Sequence, residues 1–101
     1  MYIYNITTLT DPSILEQWLS WMREQRIPAI MASGCFLRYQ FVRLLDTDEG
    51  HGLTYAVQFY APDRGSCDHF AADFEPALQR EGQRLWGEKT LSFTTLMETV
   101  H

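Results

Sequence analysis

The sequence predicts an α+β domain of order β-α-β-β-α-β, a four-stranded antiparallel sheet with both helices on one face, and three observations carry that prediction. Two stretches, residues 14–22 and 67–78, repeat apolar side chains at three- and four-residue spacing, as a helix with one core face does. Four others are dense in β-branched and aromatic residues, which pack well on a pleated surface. Each helical stretch follows a strand, and right-handed crossovers then lay both helices on the same side of the sheet, the ferredoxin-like split. A chain of 101 residues holds one core, so residues 1–101 form a single domain.

The first strand is Tyr2 to Leu9, stopped by the turn cluster Thr10-Asp11-Pro12-Ser13. Asp11 before Pro12 is a helix-start signal, and Ser13 with Glu16 three residues on offers a capping box. Ile14, Leu15, Trp18, Leu19 and Met22 then make the core stripe of the first helix, with Glu16, Gln17, Ser20, Arg23 and Glu24 opposite. At about 100° per residue Arg26 falls between Leu15 and Leu19 in projection, so a cation continues the apolar stripe. Ile27 precedes Pro28 and is biased out of the α region, which predicts an end or a kink, then a short helical turn through Ser33 closed by Gly34.

Cys35 to Leu45 reads as the longest strand, apolar on both faces and therefore covered on both. The polar run Asp46 to Gly52 is a hairpin loop. Leu53 to Tyr60 is the third strand, with Leu53, Tyr55, Val57 and Phe59 facing the helices and Thr54, Ala56, Gln58 and Tyr60 on the other side. Asp63 caps a second helix carrying Cys67, Phe70, Ala71, Phe74 and Leu78, and Pro76 inside that pattern predicts a kink near Phe74 or two consecutive helices. Gly87 ends it, and Glu88 to Val100 closes the sheet, with Leu91, Phe93 and Met97 on one face and Leu96 and Val100 on the other.

Composition excludes several classes of function. Eight Lys plus Arg against thirteen Asp plus Glu, a net charge of −5, do not build the basic face that phosphate binding needs, so no nucleic acid is expected. No apolar run reaches the roughly 18 residues that span a bilayer, and the N-terminus lacks the marks of a signal peptide, so no membrane is expected and the expected compartment is cytoplasmic. Cys35 and Cys67 read as free thiols, with no metal site and no cofactor site implied. Apolar residues on both sides of strands two and four would leave a large exposed patch on one chain, and a homodimer packed sheet to sheet removes it.

Tyr4-Asn5-Ile6-Thr7, Trp18-Leu19-Ser20-Trp21-Met22, Ile27-Pro28 through Met31, Gly34-Cys35-Phe36, Leu44-Leu45-Asp46, Thr54 to Gln58 and Phe93 to Glu98 together resemble an uncharacterised bacterial domain-of-unknown-function family related to the dimeric α+β barrel proteins. The resemblance spans nearly the whole chain and implies the barrel fold and a dimer; it implies no activity. Relatives in the wider superfamily include monooxygenases, isomerases and haem-degrading enzymes. Where members of the family carry a histidine before the Ile-Pro pair, this chain has Arg26, which binds or stabilises an anion instead of transferring protons near neutral pH.

The candidate ligand-binding residues are Asn5, Arg26, Gln58 and Trp21, grouped as a semi-polar pocket between the sheet and the first helix for a small anionic or carbonyl-bearing molecule. The competing reading has Asn5 and Gln58 satisfying buried groups, Arg26 laying its stem over the core with its head on helix carbonyls, and the domain acting as a dimeric interaction module without a ligand. Catalysis is assigned to no residue. Trp18 reads as core, Cys67 as a packed thiol in preference to a nucleophile, and Glu98 as a solvated or dimer-edge carboxylate in preference to a lone acid.

Overall fold

The computed structural model describes residues 1–46 and 52–100, so the hairpin loop read from Asp46 to Gly52, with His51 in it, lies for the most part outside the described residues, as does His101. The elements are β1 (Tyr2–Thr10), α1 (Leu15–Trp21), α2 (Ile27–Ala32), β2 (Arg38–Arg43), β3 (Leu53–Ala61), α3 (Arg64–Asp73), α4 (Glu75–Trp86) and β4 (Thr90–Glu98). All neighbouring strands are antiparallel in the order β2-β3-β1-β4, as the ferredoxin-like split requires.

Alternation along β1 sorts the two faces. Tyr4, Ile6 and Thr8 look toward the helices; Ile3, Asn5, Thr7 and Leu9 look away. The core forms where α1, α2 and α3 press on the first set: Phe70 and Phe59, at 1% and 0% exposure, meet Tyr4, Phe36 and Trp18 in one aromatic-rich cluster. Phe36 packs within 5.2 Å of Phe59 and 5.1 Å of Phe70 between ring centroids.

Two expectations about segment limits are corrected. The second strand runs only from Arg38 to Arg43, because Cys35 and Phe36 turn into the core before pairing begins, and their apolar character serves packing instead of a strand face. Tyr39 and Gln40 are exposed, so within one chain this strand is not covered on both faces. The second correction concerns Pro28. Ile27 stays in the right-handed helical region (φ −63°, ψ −46°) and the interruption comes earlier, as a π-helical turn over Met22–Arg26 joining α1 to α2; the short helix with Pro28 in its first turn, followed by Gly34 at φ +77°, is as expected. A turn with one extra residue shifts the carbonyl that a proline ring would strike in a regular helix and asks no N–H of the proline.

At Pro76 the expected break is present: α3 ends at Asp73, Phe74 has φ −115°, and α4 starts with Pro76 in its first turn. Asp63 caps α3 through its Oδ1, which accepts from the Ser66 N–H at 2.8 Å. Asp11 accepts from the Ser13 N–H at 2.8 Å and caps the short 3₁₀ turn Pro12–Ile14, and hydrogen bonding by the Ser13 side chain and then its N–H holds the carboxyl below the usual range. Gly52 has φ +118°, and a Cβ there would lie 2.7 Å from the Thr10 carbonyl oxygen, so glycine is required where β3 begins beside the end of β1.

Cys67 is 1% exposed and its thiol is raised above the ordinary value by burial first and then by Asp68 and Asp63. It therefore stays protonated and shielded at neutral pH. Alkylation by iodoacetamide at pH 8 is expected to leave Cys67 unmodified in the folded protein and to modify it in urea; mass spectrometry of tryptic peptides distinguishes the two states.

Candidate functional site

The four residues grouped from the sequence separate onto the two faces of the sheet. Asn5 and Gln58 are direct cross-strand partners on the face away from the helices, where the Asn5 Nδ2 donates to Thr7 Oγ1 at 2.9 Å and the Tyr60 hydroxyl lies 3.4 Å from Gln58 Oε1. Arg26 and Trp21 are together on the other face: the guanidinium carbon lies 4.4 Å from the centroid of the Trp21 ring. Asn5 and Gln58 are not part of that arrangement.

What surrounds Arg26 and Trp21 is a cleft of about 610 Å³ between α1, the π turn, α4 and the sheet. Its apolar side is presented by the half-buried Ile6, Trp21, Leu78 and Trp86, backed by the buried Trp18, Met22, Phe59 and Phe70; its polar floor comes from Thr8, Ser92 and Thr94 on β1 and β4. The Trp21 and Trp86 rings meet edge to face at 5.6 Å. The π turn builds this side. At about 100° per residue an uninterrupted helix would carry Ile27 about 180° away from Trp18. The extra residue brings Ile27 back into the core at 2% exposure and leaves Arg26 beside it, at the cleft.

Arg26 is 13% exposed and spans from the π turn to α4, donating to the Leu78 carbonyl at 2.8 Å and pairing with Glu81 at 3.5 Å. Burial lowers its pKa and Glu81 opposes that shift; a guanidinium keeps its charge through such changes. Three buried N–H donors in the cleft residues, Arg26 Nε, Trp21 Nε1 and Trp86 Nε1, have no acceptor among the described residues. Across the floor, Glu75 Oε1 accepts from Thr94 Oγ1 and Gln79 Nε2, both at 3.0 Å, and the Thr8 and Ser92 hydroxyls are bonded at 2.8 Å.

Trp86, Glu75 and the hydroxyl pair were not expected at a site. Trp86 lies at the end of an amphipathic pattern that looks like packing, and Glu75 sits in the break before Pro76; only the pairing of Thr8 with Ser92 across strands brings the floor together. Trp18 is core at 2% exposure, as read. His69 is exposed and bonded to Asp73 at 2.8 Å. Glu98 is exposed, and its hydrogen bond and charge raise the Tyr2 phenol above its ordinary value. Among the described residues no group of three His, Cys, Asp or Glu could hold a metal, and no helix is long and apolar enough to cross a membrane.

Gly82 also lines the cleft, in the middle of α4. A Cβ there would meet Arg26 Nη2 at 3.7 Å, an ordinary contact. Gly82→Ala is expected to stabilise the domain by about 0.5–1 kcal/mol through the lower entropy of the unfolded chain, read as a higher urea midpoint.

Comparison with known proteins agrees with this architecture. A family described as a domain of unknown function, DUF4286, matches residues 1–100. No curated protein matches the sequence. Among solved structures, the chain is similar to an ethyl tert-butyl ether d (EthD) family protein from Bacillus halodurans, at 14% identity and TM-score 0.72 over 99% of this chain and 100% of that one. It is similar to a dimeric ferredoxin-like protein from an uncultured marine organism, at 13% identity and TM-score 0.73 over 99% of this chain and 95% of that one. SnoaB, a cofactor-independent oxygenase from Streptomyces nogalater, aligns at 16% identity and TM-score 0.67 over 99% of this chain and 94% of that one. At these identities the likeness is one of fold.

Proposed function

Because the chain belongs to the DUF4286 family, a domain of unknown function, its role has to be argued from its own cleft, and we propose a homodimeric protein that binds a small anionic or carbonyl-bearing molecule between the sheet and the first helix. The observation that carries this reading is the set of three buried donors, Arg26 Nε, Trp21 Nε1 and Trp86 Nε1, without acceptors among the described residues. A buried donor left unpaired costs about 1–3 kcal/mol, and native structures pair nearly all of them. An oxygen-bearing ligand that reached these donors would answer that need, and the guanidinium charge selects an anion or a polarised carbonyl. The volume suits a small molecule. Arg26 and Trp21 carry over from the four candidates as ligand-binding residues; Asn5 and Gln58 belong to the dimer face.

The dimer is supported by the open sheet face, where Leu91 is 66% and Phe93 57% exposed, and by the dimeric ferredoxin-like neighbour of the same fold. A second reading, the interaction module without a ligand, is favoured by one observation: Arg26 already joins the π turn to α4 through Leu78 and Glu81, a role it can fill as a brace. Native mass spectrometry of the gently purified protein separates the two. A dimer carrying a discrete mass that is lost on denaturation, and lost in Arg26→Met, is the expected result. A bare dimer, with Arg26→Met merely lowering the melting temperature, establishes the module instead.

A further inference from the structure

Resting on the cleft being a ligand site, we infer that α4 is its lid, a helix that swings between Phe74 and Gly87 to let a small molecule reach the donors beneath. Those donors are shut from solvent: Arg26 Nε, Trp21 Nε1 and Trp86 Nε1 are all buried. The element common to all three is α4. Trp86 belongs to it, the Trp86 ring meets Trp21 at 5.6 Å, and the Arg26 guanidinium is held against it at Leu78 and Glu81. A molecule that is to bond these groups therefore needs this helix to move. Closed again over its guest, the helix keeps water from the bonds just made.

Among the helices, α4 is the one least anchored to the core. The others bury Trp18 in α1, Ile27 and Ile30 in α2, and Cys67 and Phe70 in α3, whereas none of the 12 residues of α4 is buried. Its inward side, Glu75, Leu78, Gly82 and Trp86, is half-buried and lines the cleft, so it faces open space where packed side chains would otherwise be. The helix is latched at its start by Glu75 on Thr94 at 3.0 Å, midway by Arg26 on Leu78 and Glu81, and at its end by Trp86 on Trp21. An element with few buried apolar contacts opens for much less free energy than the whole domain needs to unfold. Both ends suit a hinge. Phe74, at φ −115°, separates α4 from α3, and Gly87, at φ +55° and ψ −128°, ends it with nothing within 4 Å of where a Cβ would lie.

The test is hydrogen exchange by NMR on the ¹⁵N-labelled full chain, with no ligand added, read at the indole N–H groups of Trp21 and Trp86 and at the backbone amides. Both indoles are expected to be exposed about tenfold or more often than the slowest amides of α3 and β1, which wait for wider unfolding. The amides of α4 are expected to follow the indoles, since a 12-residue helix released from its contacts is marginal in water. Thr94→Val removes the latch at the far end of α4 and touches neither indole; it is expected to speed exchange at both by about threefold or more, the scale of one hydrogen bond, while the α3 amides keep their rate. Indoles that exchange only as slowly as the α3 and β1 amides overturn the lid. So do indoles that exchange quickly but ignore Thr94→Val, because the tryptophans then move without the helix. Exchange is read on the empty protein, so a bare native mass spectrum removes the ligand and leaves the lid to be judged by these rates alone.

Discussion

Phe70→Ala is expected to lower the unfolding free energy by about 3–5 kcal/mol, a large share of the roughly 5–15 kcal/mol that holds a domain together. Phe70 is 1% exposed and joins α3 to the sheet: its ring centroid lies 5.2 Å from Tyr4, 5.1 Å from Phe36 and 5.8 Å from Phe74. Truncation removes the transfer free energy of the ring and leaves a void that several surrounding rings are too rigid to fill. Urea unfolding followed by circular dichroism reads the loss. A cost below about 1 kcal/mol would mean that the cluster collapses around the gap and is far less specifically packed than its contacts indicate.

Leu91→Asp combined with Phe93→Asp is expected to turn the proposed dimer into a monomer. Both residues belong to β4 on the face away from the helices, and their register partners, Leu9 and Thr7, are on β1. Their exposure is among the highest of any large apolar residue in the sheet. Burying four added carboxylates across a two-fold interface opposes association through both desolvation and like-charge repulsion. Loss of apolar anchors of this kind costs 2 kcal/mol or more, roughly thirtyfold or more in dissociation constant. Light scattering after size exclusion gives the mass directly. An unchanged dimer mass would place the interface on another surface. Circular dichroism is expected to retain the folded signature in either case, because neither side chain contributes to the helix-side core.

The fold was legible because its signals are local and agree with one another. Pro76 with the break at Phe74, Gly87 after α4, and the alternation along β3 all correspond to features of the backbone. The site was legible only in part, and the reasons differ by residue. Gln58 stands on the side of β3 opposite Val57 and Phe59, so alternation already places it away from the helices; grouping it with Arg26 ignored the thickness of the sheet. Arg26 was found through its place on the apolar stripe, although the π turn then gave its projected place in the core to Ile27. Nothing in a single sequence announces a π turn, because its cause is a competition between Pro28 and the packing of two helix faces. Trp86, Glu75 and Ser92 come together only through the pairing of β1 with β4 and the stand of α4 above it, which are tertiary facts.

One row of the open sheet face has a further consequence. Gln40, Gln58, Asn5 and Thr95 stand side by side across all four strands, flanked by a row of Arg38, Tyr60, Ile3 and Met97 on one side and a row of Val42, Ala56, Thr7 and Phe93 on the other. An unrelated greasy surface laid on this face would cover the amide groups that Thr7 and Tyr60 leave unbonded, at the cost of burying them without a partner. A second copy, by contrast, brings an identical amide row that can return those hydrogen bonds in one alignment and not in others. In the proposed dimer the row would thus act as a password on a partly apolar surface: it would add little attraction of its own while making indiscriminate sticking the less favourable choice.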